Sequence, residues 1–482
     1  MEDDSASFSD EVEVADVRNF RCAKLGLPAR MAAFLNNEEL QRDCEQIPCD
    51  QDLLEDIAGN YIIVKKILSY LPWQDKLMCK NVCSMWRSAI NTLRKEQLAV
   101  TDFAISMRIS HIKNGISLIQ SDCFYNEPLA VLAFANISGF TITAVCEALL
   151  TNPCDPPCDK DHNHFVSVLD VVKNLVVMPK KCMIAVKASA MSYMPTAYTP
   201  TNKYTITRMY GKNSPFIGGI FIPVIPNVQF DIITVKTLPD IRGKFIKTMD
   251  KLSETRYVKG ALVFVNGSFI LQSVDDIVFL NYLKNLQPDY PFALGGCIVE
   301  DTVSDNEDMS TLIDGINNCK DLLSFNLVSV GIFTVPKNFE ELRTETGVHF
   351  EMYSLILDSG CWAKGRMEAA INEFSKCVPR FEHSVVVKMS CVGRDSKHDY
   401  EQNLFRTAFP NTRLVGCYGN GELGISKPER LRTDPRPSGL KRYRPEPPPA
   451  PKKKFGFSLM YSYASIFVYI GWGKILRPAD TS

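Results

Sequence analysis

Cysteine and histidine are the residue types best suited to bind a metal or to carry redox chemistry, and the stretch CKNVCSMWRSAI places two cysteines four apart. On a helix, Cys79 and Cys83 would lie one above the other, as zinc ligands can. Zinc needs four ligands, however, and the neighbouring residues supply no others; a redox pair normally has two intervening residues. The pattern therefore favours an apolar helix face.

A second cluster of potential ligands is the stretch CDPPCDKDHNH, which contains Cys154, Cys158, His162 and His164. The spacing C-x3-C-x3-H-x-H is unusual for zinc, and the Asp and Pro content is typical of a solvated loop. An exposed loop is therefore the favoured interpretation, with a metal site as the alternative. We expect no resident metal or cofactor.

Glycines dominate RLVGCYGNGELG, which follows an apolar strand-like run and contains Gly416, Gly419 and Gly421. A phosphate-binding loop would continue with Lys-Ser/Thr, and a dinucleotide fingerprint would open a helix. Neither follows, so the stretch predicts a tight turn with close backbone approach. Its carboxylate Glu422, together with Arg394 of SCVGRD, is either a polar group in a cleft at the strand ends or a turn carboxylate beside a surface arginine.

No catalytic constellation is evident elsewhere. The chain has six histidines, and none lies in a defensible Ser/His/Asp or Cys/His pattern. Charge is balanced, with 54 Lys+Arg against 55 Asp+Glu, so no basic field predicts nucleic-acid binding. The acidic start MEDDSASFSDEVEV is not a secretory signal, and the 16 cysteines then fit reduced thiols in the cytoplasm or nucleus.

The 482 residues allow two to four domains, and their hydrophobic pattern changes along the chain. Residues 1–50 are polar and predicted to be mostly disordered. Residues 52–96 have helical spacing, with Pro72 ending one helix or opening the next. Three short helices there cannot bury a full core alone, so such a unit usually packs against a partner.

From residue 98 onward, apolar runs of strand length alternate with amphipathic segments, which predicts α/β sheets covered on both faces. ALVFVNGS, IVFLNYLKNLQ and PFALGGC read as strand, helix and strand, and SVVVKMSCVG, EQNLFRTAF and RLVGCYGNG repeat that order. The fold class is therefore a short helical unit followed by a large mixed α/β region built from repeated β-α-β units.

The helical segment resembles the F-box. In ILSYLPWQDKLMCKNVCSMWRSAI the apolar positions, the Asp-x-Leu-like segment and the Val-Cys-x-x-Trp ending fall where that family has them, although AGNY replaces the usual Leu-Pro before the first helix. The resemblance implies that residues 52–97 bind the Skp-type adaptor of a cullin-RING ubiquitin ligase. The implied adaptor contacts, or their direct supports, are Ile67, Leu68, Leu71, Leu77, Val82, Cys83 and Trp86. The alternative is a helical hairpin packed on the chain's own second domain.

The segments ALGGC, SCVGRD and RLVGCYGNGELG together resemble the FIST domain over about residues 100–475, a family of proposed small-ligand sensors. Its implied cleft would contain Arg394, Gly416, Gly419, Gly421 and Glu422. An F-box followed by a FIST domain implies a non-catalytic receptor that recruits a protein for ubiquitination and proteasomal degradation. The rival function is a FIST ligand sensor without a ligase role.

The expected boundaries are residues 98–425 for the FIST region, 426–454 for a disordered Pro-rich basic insertion and 455–475 for a closing apolar segment. The stretch FGFSLMYSYASIFVYIGWG is uncharged and follows Lys452–Lys454, so a tail anchor in a membrane is an alternative. Its serines, tyrosines and glycines dilute the apolarity, which favours packing on the sheet instead.

Overall fold

The computed structural model describes residues 51–108, 115–145, 163–176, 181–189, 191–193, 208–210, 215–270, 275–305, 326–429 and 459–476. The chain divides into two compact units. Unit 1 comprises Met1–Pro226 and Val303–Ser324, and unit 2 comprises Asn227–Thr302 and Phe325–Ser482. The division at Pro226 falls inside the stretch 98–425, which the sequence treats as one region.

Four helices open the described part of unit 1, which confirms the helical pattern of residues 52–96. They are α1 (Gln51–Gly59), α2 (Tyr61–Ser69), α3 (Trp73–Cys79) and α4 (Ser84–Glu96). Asn60, within the AGNY stretch, is the N-cap of α2, and its Oδ1 accepts hydrogen bonds from the backbone N–H of Ile62 at 3.0 Å and Ile63 at 3.3 Å. Pro72 precedes α3 directly, where a missing N–H costs nothing.

The helices share a small core of their own. It consists of Val64, Leu68, Ala89, Ile90 and Leu93, with Leu71, Cys79, Met85 and Trp86 packed against it. The core joins α2 to α4, whereas Trp73 of α3 packs into the sheet core of unit 1. The helical segment is therefore both a packed unit and an appendage of a larger one.

The remaining elements of unit 1 are mostly strands: β1 (Thr101–Arg108), β2 (Gly115–Gln120), β3 (Pro128–Ala135), α5 (Ile137–Phe140), β4 (Thr141–Val145), β5 (Asn163–Ser167), α6 (Val168–Leu175), β6 (Met183–Lys187), β7 (Met191–Tyr193), β8 (Arg208–Tyr210) and β9 (Phe216–Pro223). All eight residues of β9 are buried, which confirms the prediction of strands covered on both faces.

Unit 2 alternates strands and helices: β10 (Gln229–Val235), a π-helical turn (Ile241–Ile246), α7 (Lys247–Thr255), β11 (Arg256–Asn266), α8 (Gly267–Ile270), α9 (Asp275–Asn285), β12 (Ala293–Val299), β13 (Asp301–Ser304, where the chain returns to unit 1), β14 (Val328–Pro336), α10 (Phe339–Thr346), β15 (His349–Leu357), a 3₁₀ turn (Ser359–Cys361), α11 (Lys364–Cys377), β16 (Phe381–Cys391), a 3₁₀ turn (Val392–Lys397), α12 (His398–Ala408), β17 (Arg413–Gly419), β18 (Glu422–Ile425), β19 (Met460–Tyr461) and β20 (Ser465–Ile475).

The sheets are mixed, so the fold class is mixed α/β as predicted. In unit 1 the strand order is β13-β6-β3-β9-β1-β2, and in unit 2 one sheet has the order β10-β14-β11-β12-β18-β19 while the other contains the run β15-β20-β16-β17. The pairs β3/β6, β11/β12 and β16/β17 are parallel, and the strands β9, β14 and β20 pair antiparallel to the first member of each.

The apolar closing segment forms a strand. β20 pairs antiparallel with both β15 and β16, and its first nine residues are buried. Such a strand satisfies its backbone within the sheet, so the tail-anchor alternative for residues 455–473 is wrong for the part that the structure describes. No described helix has the length and apolarity needed to cross a membrane.

Residues 1–50 and 430–458 lie outside the described residues, and with them most of the predicted disordered segments. The first residues of the expected insertion are described. Lys427 exchanges backbone hydrogen bonds with Ser354 of β15, at 2.9 and 3.0 Å. Its ammonium also pairs with Glu351 at 2.7 Å. The insertion therefore begins later than residue 426.

Candidate functional site

Large apolar side chains are exposed mainly in the helical segment. Among the described residues, eight of the twelve exposed large hydrophobics are Tyr61, Ile62, Ile63, Ile67, Tyr70, Leu77, Met78 and Val82, and we call these eight the helical apolar surface. Ile62 and Met78 are the most exposed, at 77% and 75%. Concentrated exposure of this kind is unusual among globular proteins, so this surface is a candidate interaction site.

The geometry of α2 explains how one helix supplies both a core and this surface. Val64 and Leu68 lie four residues apart and are 1% and 0% exposed. Ile63 and Ile67, also four apart, are 40% and 47% exposed on another side of the same helix. Four-residue spacing stacks side chains along one face, so the sequence YIIVKKIL gives α2 two apolar faces.

Polar contacts attach the helical segment to the rest of unit 1. The backbone N–H of Trp73 donates to the carbonyl of Phe124 at 2.9 Å. The ammonium of Lys76 donates to the carbonyl of Tyr125 at 2.7 Å, and burial lowers its pKa to about 8. These contacts fix α3 to the chain and leave the helical apolar surface uncovered by the described part of unit 1.

The seven implied adaptor contacts differ in their burial. Ile67, Leu77 and Val82 are 47%, 40% and 62% exposed and belong to the helical apolar surface. Leu68 is fully buried in the helical core, so it supports the surface rather than forming it. The F-box resemblance did not single out the exposed Met78, although it directly follows Leu77; its signal was the apolar Leu-Met pair at the end of α3.

The other three implied contacts lie at the edge of that core. Leu71 and Trp86 are half-buried against it, and the indole N–H of Trp86 donates to the carbonyl of Ala58 at 3.5 Å. Cys83 is exposed and is the N-cap of α4. Trp86 therefore has a structural role within the helices as well as a partly accessible ring.

The expected stacking of Cys79 and Cys83 on one helix is wrong. Cys79 ends α3, and Cys83 has extended backbone angles (φ −158°, ψ 173°) that open α4. Its Sγ accepts a hydrogen bond from the N–H of Trp86 at 3.5 Å. The turn between them divides the expected apolar helix face, so that Val82 is exposed and Ile90 is buried. Sulfur at an N-cap replaces the usual Ser or Asp oxygen, a case that spacing rules do not anticipate.

The second predicted site, at the strand ends of unit 2, is a buried polar cluster. Arg394 is 1% exposed, so it is not a surface arginine. Its Nε donates to Glu401 at 2.6 Å, and its Nη atoms donate to the carbonyls of Asp358 at 3.2 Å, Tyr463 at 3.0 Å and Cys361 at 3.1 Å. One guanidinium therefore ties together three separate segments of the chain.

Glu401 is shared by a second buried cation. The ammonium of Lys388 lies 3.1 Å from its Oε2 and 3.1 Å from Nδ1 of His398. The hydroxyl of Ser465 donates to the same carboxylate at 2.7 Å. Burial lowers the pKa of Lys388, while the carboxylate of Glu401 opposes that shift. Every charge in this cluster has a partner, as buried charges require.

Glu422 is fully buried beside this cluster. Its Oε2 accepts a hydrogen bond from the N–H of Ala464 at 3.1 Å. Burial raises its pKa to about 8, against the opposing effects of that N–H group and of Arg394. The structure thus brings Arg394 and Glu422 into one neighbourhood, as predicted, but under the surface rather than in an open cleft.

The three glycines of the predicted cleft serve close packing. A Cβ at Gly416 would lie 1.8 Å from the carbonyl oxygen of Lys388, and its φ is +155°. A Cβ at Gly419 would lie 2.6 Å from that of Cys297. Gly421, with φ +141°, forms the turn between β17 and β18. Glycine is needed here because backbone approaches backbone, as the tight-turn prediction proposed.

The cysteine–histidine stretch lies largely outside the described residues, which exclude Cys154, Cys158 and His162; only the backbone of His164 is described, in β5. Within the described ranges no three His, Cys, Asp or Glu side chains converge as metal ligands.

Comparison with known proteins does not assign this chain to a family. No protein-family model and no curated protein matches this chain. Its function is therefore inferred from its residue patterns and from the two sites above.

Proposed function

We propose that this chain is the substrate-recognition subunit of an SCF-type cullin-RING ubiquitin ligase. Helices α1–α4 bind a Skp-type adaptor through the helical apolar surface, and the α/β region recruits the protein to be ubiquitinated for degradation. Such a receptor acts in the cytoplasm or nucleus, where these ligases and reduced thiols are found.

The observation that carries the proposal is the helical apolar surface. Exposed side chains such as Ile62 and Met78, at 77% and 75%, cost free energy in water. Burying one such side chain against a partner contributes about 1.5–3 kcal/mol, so several together supply the core of a stable interface. A helical unit that inserts apolar side chains into a partner groove has this anatomy.

The contacts made by α3 add a second support. Trp73 and Lys76 hold the helical segment to unit 1 on one side, and the helical apolar surface lies elsewhere on the same helices. A hairpin whose apolar surface packed on its own domain would leave little of it exposed. The exposure therefore favours an external partner over the hairpin alternative.

The sheet pairings favour the FIST resemblance for the rest of the chain. The pairs β3/β6, β11/β12 and β16/β17 are each parallel with a helix between them along the chain, and each has an antiparallel strand on the other side. Two of these units are the predicted repeats. We therefore propose a FIST-type region built from repeated β-α-β units.

In this proposal the chain itself is not an enzyme. The thioester chemistry belongs to the ubiquitin-conjugating enzyme, and the receptor accelerates transfer by holding a target lysine close to the thioester. No cofactor is required for that role. The buried cluster around Arg394 and Glu401 then has a structural task, which is to fix the loops at the strand ends.

The test is co-purification of the full chain with a Skp-type adaptor. Ile67→Asp and Ile137→Asp form a matched pair, because both isoleucines are 47% exposed but only Ile67 belongs to the helical apolar surface. We expect wild type and Ile137→Asp to bind and Ile67→Asp to lose binding by at least tenfold, about 1.4 kcal/mol or more. Circular dichroism verifies that each variant is folded.

Equal binding by both variants, or a folded wild-type chain that does not bind, would contradict the proposal. The ligand-sensor function would then be the one to screen. At present no contact favours it, because Arg394 and Glu422 are 1% and 0% exposed and cannot reach a ligand without rearrangement.

A further inference from the structure

The described part of unit 2 has an exposed aromatic side chain among cations. Trp362, between the 3₁₀ turn and α11, is 39% exposed. The ammonium of Lys397 lies 5.1 Å from the centre of its ring, and the guanidinium carbon of Arg394 lies 5.5 Å from it. Arg394 is already paired with Glu401, whereas Lys397 forms no ion pair with any described carboxylate.

Two further cations lie shortly after Trp362 in the sequence. Lys364 and Arg366 are exposed residues in the first turn of α11. Lys364 packs over the ring of Tyr400 at 5.1 Å, and Arg366 donates to the carbonyl of Gly360 at 3.1 Å. Within the described residues, neither of them forms an ion pair.

These cations lie at the unfavourable end of their helix. The amino-terminal end of a helix carries partial positive charge and is stabilised by Asp or Glu, but the first turn of α11 contains no acidic residue, and Ala363 offers no side-chain cap. Lys376 lies at the other end, where a cation is favourable. The first turn thus gives up stability to concentrate positive charge beside Trp362.

The surroundings hold this arrangement in place. Tyr463 is 55% exposed, has a left-handed backbone (φ 55°), and its ring lies against Gly393, where a Cβ would approach within 2.7 Å. The carbonyl of Tyr463 accepts a hydrogen bond from Arg394, as does that of Cys361 next to Trp362. A strained backbone at an exposed aromatic residue is characteristic of binding sites.

We infer that Trp362, Lys364, Arg366, Lys397 and Tyr463 form a docking surface, the basic aromatic surface, for an Asp/Glu-rich segment of the recruited protein. The three cations complement carboxylates, and Trp and Tyr are the side chains that most often anchor interfaces. This inference rests on the proposed receptor function and adds to it the chemical class of the target segment.

The test uses the full chain and a fluorescein-labelled polyglutamate peptide, with fluorescence anisotropy as the readout and a polylysine peptide as the control. We expect polyglutamate to bind, polylysine not to bind, and the affinity to fall as salt is added. Lys364→Glu combined with Lys397→Glu, and Trp362→Ala alone, should each weaken binding at least tenfold. Lys376→Glu makes the same charge change as Lys364→Glu alone, at the far end of α11, and should leave binding within about twofold.

Measurements of stability distinguish a binding role of Lys364 from a structural one. Because Glu is favoured in a first helical turn, Lys364→Glu should raise the urea midpoint of the chain while it weakens peptide binding. A merely structural Lys364 would instead lower the midpoint when reversed. Acrylamide quenching gives an independent readout, since Trp73 and Trp472 are only 8% and 0% exposed and bound peptide should shield Trp362. The partly accessible Trp86 supplies a background that the Trp362→Ala variant measures by itself.

The inference would be overturned if Lys376→Glu and the double variant bound polyglutamate equally well, whether at the wild-type affinity or at a reduced one. It would also be overturned if folded wild type did not bind polyglutamate, or if it bound only a phosphoserine peptide. The variants should all keep the adaptor in co-purification. Loss of adaptor binding by wild type with retained polyglutamate binding would refute the receptor function and leave the surface intact.

Discussion

The helical apolar surface and the cluster around Arg394 distribute polarity in opposite ways. In α2 and α3, side chains such as Ile62 and Met78 face water, whereas in unit 2 the charges of Lys388, Arg394 and Glu401 are buried. Each of these three charges finds a partner of opposite sign within the chain. The apolar side chains of the helices have no such cover within the described part of unit 1. The difference supports the proposed external partner for the first region, whereas the three buried charges of the second are already paired within the chain.

The largest expected effect on stability comes from a substitution in the buried cluster around Arg394. Arg394→Met removes one of the two cations paired with Glu401. It also takes a donor away from the carbonyls of Asp358, Cys361 and Tyr463. We expect a loss of about 3–5 kcal/mol in the free energy of unfolding, measured by urea denaturation. Arg366→Met, an exposed arginine in the same unit, should change it by less than about 0.5 kcal/mol. Equal losses of unfolding free energy in the two variants would show that the cluster does not hold the loops together.

Substitutions of two adjacent residues of α2 compare the helical core with the helical apolar surface. Leu68→Ala creates a cavity in the helical core, where Leu68 is 0% exposed, and should cost about 2–5 kcal/mol of stability. Ile67→Ala, at 47% exposure, should cost less than about 1 kcal/mol yet weaken adaptor binding. Thermal unfolding with co-purification separates the two effects. A larger stability loss for Ile67→Ala would mean that this side chain belongs to the core.

The pH dependence of stability probes Glu422. Its pKa rises from 4.5 to about 8 on folding, so its protonated form stabilises the folded state fully below pH 4.5. That contribution is lost progressively as the pH rises to about 8. Glu422→Gln keeps an acceptor for the Ala464 N–H and cannot ionise. The urea midpoint of wild type should therefore fall relative to the variant across this range, and parallel curves would contradict a buried neutral carboxyl.

The smallest effect concerns the cap of α4. Cys83→Ser replaces the Sγ that accepts the Trp86 N–H at 3.5 Å with a stronger oxygen acceptor. We expect a gain of about 0.5 kcal/mol in the free energy of unfolding. A loss instead would show that the thiol has another task, such as the metal or redox role that its spacing does not favour.

Local patterns in the sequence were sufficient for part of this account. The helical spacing of residues 52–96 and the apolar runs of the strands predicted the elements and the mixed α/β class, because side-chain periodicity follows backbone geometry. The glycines of RLVGCYGNGELG predicted a tight approach of backbones for the same local reason. The separation of Cys79 from Cys83 was missed, since a cysteine N-cap has no established sequence signal.

The tertiary structure alone decided what is exposed. Ile67 and Leu68 are neighbours of nearly equal hydrophobicity, and only the packing of α2 on α4 buries one and exposes the other. Likewise, Arg394 and Glu401 are ordinary charged residues in the sequence, and their burial depends on segments that meet through long-range pairing of strands. Periodicity fixes which residues share a face, but the burial of that face depends on partners far away in the chain.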